Sequence, residues 1–240
     1  MLTLISLPAG FDEPSLSPFC VKSMIQLEMS GLDWTVEYVA NPGEGPLGRL
    51  PALRTEDAVI PESAFIQRFL EDKGTDFYKG LSSGKRANAH AMIRMMEEHL
   101  RCGLMYDRWM DDRCWPSLKE AAFNSIPSPI RAVVAPLARR QMKSGLKGQG
   151  IGRMSEAQRM EVFAPDLECL TDHLWETPFL FGNEPTAPDT FAVPLLSMLS
   201  GLPADTALRG AVRQNPTLMA YIERGRAALY PKATRFAAAA

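Results

Sequence analysis

Apolar and polar side chains alternate over Leu2-Thr-Leu-Ile-Ser-Leu7, the period of a short strand. Pro8 to Pro14 follows as a loop, and Ser17-Pro18 then opens a helix. Serine suits the N-cap and proline the first helical position. Val21, Met24 and Ile25 recur at helical spacing, with Glu28 beyond them, and Gly31 supplies the stop. Trp34 to Val39 is rich in β-formers and reads as a second strand. Asn41 to Pro46 is a loop; Leu50-Pro-Ala-Leu53 and Ala58-Val-Ile60 read as short strands turned at Glu56-Asp57. Ser63 to Asp72 is a helix closed by Lys73-Gly74. The order β-α-β-β-β-α describes a small α/β domain.

Beyond Gly84 the texture changes. Lys85 to Arg113 predicts one long helix, interrupted only by Gly103. Pro127 and Pro129 open another, reaching Ser144, and the four glycines from Gly145 to Gly152 predict a loop. Ser155 to Trp175, Thr186 to Ser200 and Pro216 to Leu229 read as further helices. Thr186 and Asp189 have the spacing of an N-capping box. No strand pattern occurs after residue 85. The reading is therefore a domain over 1–76, a junction near 74–84 and an all-helical domain over 85–235. The Ala237 to Ala240 tail reads as frayed.

The composition narrows the classes. At 240 residues the chain holds one large or two small domains, given roughly 150 residues per domain. An apolar content of 46% excludes wholesale disorder. A net charge of −2 argues against a nucleic-acid binder. No apolar run is long enough for a transmembrane helix, and the N-terminus lacks the basic leader of a secretory signal. The four cysteines contain no C-x-x-C pair and the three histidines lie far apart. A disulfide scaffold and a structural metal are not expected, and a reducing, cytoplasmic setting fits.

Four segments together carry a family resemblance: Ser17-Pro18-Phe19-Cys20, Gly48-Arg-Leu-Pro51-Ala-Leu, Pro61-Glu62-Ser63 with Phe65-Ile66 and Phe69-Leu70, and Gly182-Asn-Glu-Pro-Thr186-Ala-Pro-Asp189. In this order over nearly the whole chain they resemble the glutathione S-transferase superfamily. That implies a thioredoxin-like α/β N-terminal domain followed by an all-α C-terminal domain. The run Met96-Glu-Glu-His99 through Tyr106-Asp-Arg-Trp109, with Leu146 to Arg153, is similar to the metaxin and failed-axon-connections branch.

The resemblance implies glutathione as co-substrate, with Ser17 holding its thiolate and a small hydrophobic electrophile as second substrate. A helix N-terminus does offer free N–H groups and a positive dipole end to such an anion; plain capping is the alternative for Ser17. Phe19, Leu50, Pro51, Glu62 and Ser63 are the implied glutathione contacts, Leu50-Pro51 at the cis-proline site and Glu62-Ser63 at a helix start. Ser63 as a simple N-cap is the competing reading. Cys20 is either a buried structural thiol or a lone redox thiol; Ser17 in place of a first cysteine rules out a disulfide within this motif. His99, Tyr106 and Trp109 share one helix face with Cys102 and would line the second-substrate pocket, or simply pack. Glu97 and Glu98 are adjacent and cannot pair for acid–base work. The six basic residues between Ala121 and Ser155, with no acid among them, offer contact with anionic lipid or a partner, or form a solvated face.

The family places a helix between the second and third strands as part of the glutathione site. Ala40 to Arg49, with Pro42, Pro46 and three glycines, cannot hold a normal helix. That shortening favours the alternative function, a non-catalytic protein-interaction module of metaxin type. A homodimer is implied by the resemblance alone.

Overall fold

The computed structural model describes residues 1–231. The expected frayed tail, Ala237 to Ala240, and the end of the second domain at 235 lie outside the described residues. Strand β1 (Leu2–Ser6) feeds helix α1 (Pro18–Ser30). Ser17 caps α1, its Oγ accepting from the Cys20 N–H at 3.4 Å. Gly31, at φ +68°, closes it in the left-handed region that favours glycine. Strand β2 (Trp34–Tyr38) lies parallel to β1, with Leu4 opposite Val36. Strands β3 (Ala52–Arg54) and β4 (Val59–Pro61) add on antiparallel, giving the order β2-β1-β3-β4. Helix α2 (Ser63–Asp72) returns over the sheet. Leu4, Val36 and Leu53 of the sheet share one apolar cluster with Met24 and Leu27 of α1 and Ile66 and Leu70 of α2. Between β2 and β3 the regular structure is a single 3-10 turn, Pro42–Glu44, so the expected loss of a full helix there holds.

The helical half begins with α3 (Ser83–Arg94), continues through a π turn (Met95–Leu100) and ends in α4 (Arg101–Trp109). The expected long helix is thus a continuous run that stops at Trp109 and carries a π turn inside it. Helices α5 (Trp115–Phe123), α6 (Ser128–Gln149) and α7 (Glu156–His173) follow, then α8 (Asp189–Ser200), α9 (Ala207–Arg213) and α10 (Pro216–Leu229). The sequence pattern did not show α5 or α9, which span nine and seven residues. It also read Gly145 to Gly152 as a loop, whereas α6 runs to Gln149. Leu146 anchors that last turn in the core, which outweighs the poor helix propensity of Gly145 and Gly148.

Helix α8 is the axis of the molecule. Every residue from Asp189 to Leu199 is buried. It packs against α1, where the Phe19 and Phe191 rings lie 4.8 Å apart, and against α10. Gly225 permits that second approach, because a Cβ there would sit 2.4 Å from Val193 Cγ2. Val21 and Ile25 of α1 share an apolar cluster with α8, so the sheet half and the helical half have a common core.

A buried carboxylate organises the start of α9. Thr206 caps that helix and donates to Asp107 Oδ2 at 2.6 Å. Burial pushes the Asp107 carboxyl up to about 6. The folded state therefore holds its proton more tightly than the unfolded chain, and stability falls as pH rises between about 4 and 6. Asp107→Asn keeps an acceptor for Thr206 and removes the cost of the buried charge. Urea unfolding should show a flatter profile over that window and a gain of up to about 3 kcal/mol at pH 7. An unchanged profile would assign the pH dependence to other groups.

Candidate functional site

Three chain segments meet at one end of the sheet. β1 runs out into the loop that carries Ser17, β3 starts just after Pro51, and β4 ends at the start of α2. The register places Ile5 opposite Ala52 and Ala52 opposite Pro61. The Leu50–Pro51 bond is cis, as the resemblance implied, and Pro51 O accepts from the Glu62 N–H at 3.0 Å. Cys20 joins Ile5, Leu50 and Ala52 in one apolar cluster, which seats the first turn of α1 against the cis-proline segment.

Ser17 is half-buried at the N-terminus of α1. Its own N–H is bonded to Ser15 Oγ at 3.3 Å. Pro18 has no N–H, and among the described residues the Phe19 N–H meets no acceptor, so the positive end of α1 keeps a free donor. Glu62 is held at φ +63° and ψ 136°, a sparsely populated conformation for a side-chain-bearing residue and costly by about 1–3 kcal/mol. Its carboxylate pairs with Arg49 Nε at 2.5 Å. Ser63 is buried and is the first helical residue of α2, so its plain N-cap reading fails; Glu62 occupies that position without a side-chain cap. The site thus sets two helix N-termini on either side of a cis-proline strand start, an arrangement suited to a ligand with separate anionic groups joined by a backbone.

The remaining sequence-singled residues separate. Cys20 is fully buried, and burial pushes its thiol up against the pull of its Leu7, Ser6, Ser17 and Ser15 neighbours. The thiolate that redox exchange requires is disfavoured there. His99 Nδ1 lies 2.6 Å from Asp166 Oδ2 and its ring stacks near Phe163, so it faces α7. Tyr106 also faces α7, with the Arg159 guanidinium 3.6 Å from its ring centre. Trp109 instead packs on Trp115 and Phe123 of α5, at ring separations of 5.6 and 6.5 Å. The face of this helix that reaches the first domain is made by other residues. Glu97 takes Lys22 of α1 at 2.7 Å, both side chains buried, while Glu98 stays in solvent. Arg101 lies over Phe19, and Arg108 Nη1 donates to Leu16 O at 2.7 Å.

What shapes the Ser17 loop was not legible as a motif. Phe11 and Asp12 both have left-handed backbones, at φ +56° and +58°. Next to them Glu13 is buried and accepts from Ser197 Oγ at 2.5 Å, from Tyr230 Oη at 2.6 Å and from Arg226. Arg226 also donates to Asp12 O at 2.8 Å. Burial raises the Glu13 carboxyl, and these donors oppose the rise. Helix α5 closes over the same loop, since a Cβ at Gly10 would lie 3.7 Å from that of Ala121. The helical half therefore clamps the loop that presents Ser17. The adjacent acids Asp12 and Glu13 in a proline-bounded loop were the sole local sign of this.

Among the described residues no helix is long and apolar enough to cross a membrane, and no group of three or more His, Cys, Asp or Glu is placed to hold a metal ion.

Comparison with known proteins agrees with this architecture. The glutathione S-transferase N-terminal domain model matches residues 18–114, and the glutathione S-transferase C-terminal domain model matches residues 154–224. The isoprene-epoxide–glutathione S-transferase of Rhodococcus sp. (strain AD45) is 28% identical over 231 residues, covering 93% of this chain and 97% of the relative. Failed axon connections of Drosophila melanogaster is 30% identical over 231 residues, covering 91% of this chain and 55% of that longer protein. The crystal structure of a glutathione transferase from Phanerochaete chrysosporium superposes with a TM-score of 0.64 at 18% identity, covering 96% of this chain and 98% of that one. Taken with the cis-proline sheet end and the all-helical second half, these matches establish that the chain belongs to the glutathione S-transferase superfamily, with the failed-axon-connections and metaxin branch among its relatives.

Proposed function

We propose that the protein is a glutathione transferase that adds the glutathione thiolate to a small hydrophobic electrophile. The observation that carries this reading is the convergence of Ser17, cis-Pro51 and Ser63 at one sheet end. Ser17 Oγ donates to the sulfur, and the N-terminus of α1 favours its ionised form. The Leu50–Pro51 segment pairs with the peptide backbone of glutathione. The α2 N-terminus at Glu62-Ser63 takes the γ-glutamyl carboxylate, and Phe19 flanks the sulfur end. The thiolate then attacks an electrophilic carbon, forming the carbon–sulfur bond as that carbon's bond to its leaving group breaks; in an epoxide the bond broken is a ring C–O bond, and the alkoxide takes a proton from water. An epoxide is one such electrophile, as the bacterial relative's name records for that protein.

The electrophile side rests on Trp109, because it packs on Trp115 and Phe123 of α5, the helix that closes over the Ser17 loop. His99 and Tyr106, the other residues of the proposed second-substrate pocket, lie against Asp166, Phe163 and Arg159 of α7. A homodimer and a cytoplasmic setting complete the reading; the free thiols of Cys20, Cys102, Cys114 and Cys169 accord with a reducing compartment.

A second reading, a non-catalytic protein-interaction module, is supported by the 3-10 turn that replaces a connecting helix and by the failed-axon-connections relative. Calorimetric titration of the purified chain with glutathione separates the two. Saturable binding with a Kd from micromolar to millimolar is expected of a transferase that uses substrate at cellular levels. No heat at millimolar glutathione would overturn the enzymatic reading and leave the module.

A further inference from the structure

The two family-model matches stop at residue 114 and resume at residue 154, and α5 and α6 fill the interval. Helix α6 is unusual within this fold. Of its 22 residues only Ala135 and Leu146 are buried. It is held along one side, where Arg139 donates to the carbonyls of Trp109 and Met110 and pairs with Asp112, and where Gln149 accepts from Cys102 Sγ. On the opposite side Ile130, Val133, Val134 and Leu137 are 55%, 60%, 37% and 59% exposed. Their spacing of three, one and three residues puts four large aliphatic side chains in one stripe facing solvent.

Arg140, Lys143 and Lys147 continue the helix beside this stripe, and none has an ion-pair partner among the described residues. No acidic residue occurs between Ala121 and Ser155. The surface is therefore apolar and cationic at once, on a chain whose net charge is −2. A second copy is a poor occupant. A two-fold contact centred on the stripe would set it against the partner's own 121–155 segment, which offers Arg140, Lys143 and Lys147 no carboxylate. The stripe is a row of exposed aliphatic side chains, which can enter a fluid apolar layer without a matching partner surface. A basic amphipathic helix with these properties lies in the plane of a membrane surface, its apolar face at the headgroup boundary.

We propose that α6 is a reversible docking surface for an anionic lipid bilayer, with Ile130, Val133 and Leu137 entering the headgroup boundary and Arg140, Lys143 and Lys147 meeting anionic headgroups. Neither set suffices alone: the stripe is short, and the basic residues act only within a Debye length of the charged surface.

The test is co-sedimentation of the full chain with phosphatidylcholine vesicles that contain or lack phosphatidylserine. Binding is expected only with phosphatidylserine present, and it should weaken with added salt. The variant Arg140→Gln/Lys143→Gln/Lys147→Gln should lose about 100-fold in partition, from roughly a factor of five per basic residue. The variant Val133→Ser/Leu137→Ser should lose at least about tenfold. Both change side chains on the outer part of α6, and an unchanged far-ultraviolet circular dichroism spectrum checks that the helix persists. No binding to anionic vesicles, or equal binding to neutral ones, would overturn the proposal. So would anionic binding that survives Val133→Ser/Leu137→Ser, which marks a general polyanion patch. Self-association of the wild type that this same variant abolishes, without vesicle binding, would assign the stripe to a second copy instead.

Discussion

Ser17→Ala is expected to lower kcat/KM for glutathione conjugation by roughly one to three orders of magnitude, the loss of one preorganised donor to a developing or bound anion. The side chain does two jobs in the structure. Its Oγ accepts from the Cys20 N–H, which caps α1, and it stands half-exposed beside the unpaired Phe19 N–H. The capping loss alone costs about 1 kcal/mol of stability. Glutathione affinity should fall far less than kcat, because in the proposed site the α2 N-terminus and the cis-Pro51 segment would still hold the rest of the molecule. The informative comparison is the pH–rate profile: without the Ser17 donor, the apparent pKa of bound thiol should move up toward that of free glutathione. An alanine variant with wild-type rate and an unmoved profile would reduce Ser17 to a cap.

Asp189→Ala should be the most damaging single change to the fold. The carboxylate is fully buried and accepts four hydrogen bonds: from Leu180 N at 3.1 Å, Thr186 N at 2.8 Å, Thr186 Oγ1 at 3.0 Å and Tyr221 Oη at 2.7 Å. Burial raises this carboxyl, while the donors oppose the rise. Alanine leaves those donors in the core with no acceptor and opens a small cavity. The expected loss is about 3–5 kcal/mol, or on the order of 10 °C in Tm for a chain of this size. Asp189→Asn retains one acceptor oxygen and should lose less. Glutathione affinity per folded molecule should not change, because these partners lie in the shared core and not at the Ser17–Pro51–Ser63 end of the sheet. A loss below about 1 kcal/mol would mean that water replaces the carboxylate.

The same residue marks where sequence reasoning stops. The Thr186/Asp189 spacing pointed to a reciprocal capping box with Thr186 as N-cap. Half of it exists, since Asp189 accepts the Thr186 N–H, but the threonine hydroxyl donates to the carboxylate and caps nothing. Helix α8 begins at Asp189 itself, after Pro188. The contacts from Leu180 and Tyr221 come from other segments, and no local pattern announces them. Elements with strong local punctuation were legible: Ser17-Pro18 and Gly31 bound α1, and the strand pattern with Pro51 fixed the sheet end. Helix α9 was not, because its seven residues are too few to show a period and its start depends on Thr206 meeting Asp107, 99 positions earlier. The π turn at Met95–Leu100 was invisible for a similar reason. It turns Glu97 inward toward Lys22 of α1, whereas His99 meets Asp166 of α7, a division that plain helical spacing does not convey.

The clamp on Glu13 has a consequence for the order in which the chain acquires its shape. Its three partners, Ser197, Arg226 and Tyr230, lie 184, 213 and 217 positions further along. During synthesis the sheet half emerges first and can form its local elements, but the loop that presents Ser17 lacks Arg226 and Tyr230 until α10 and the residue after it have left the ribosome. Until then Glu13 lacks two of its three side-chain partners, and the paired backbones of Gly10 and Glu13 are what hold the left-handed Phe11 and Asp12. Contacts of such long sequence separation form late and slow the final step of folding. The nascent chain therefore carries a sheet whose Ser17 loop is not yet clamped, and that clamp closes only once the segment after α10 has emerged.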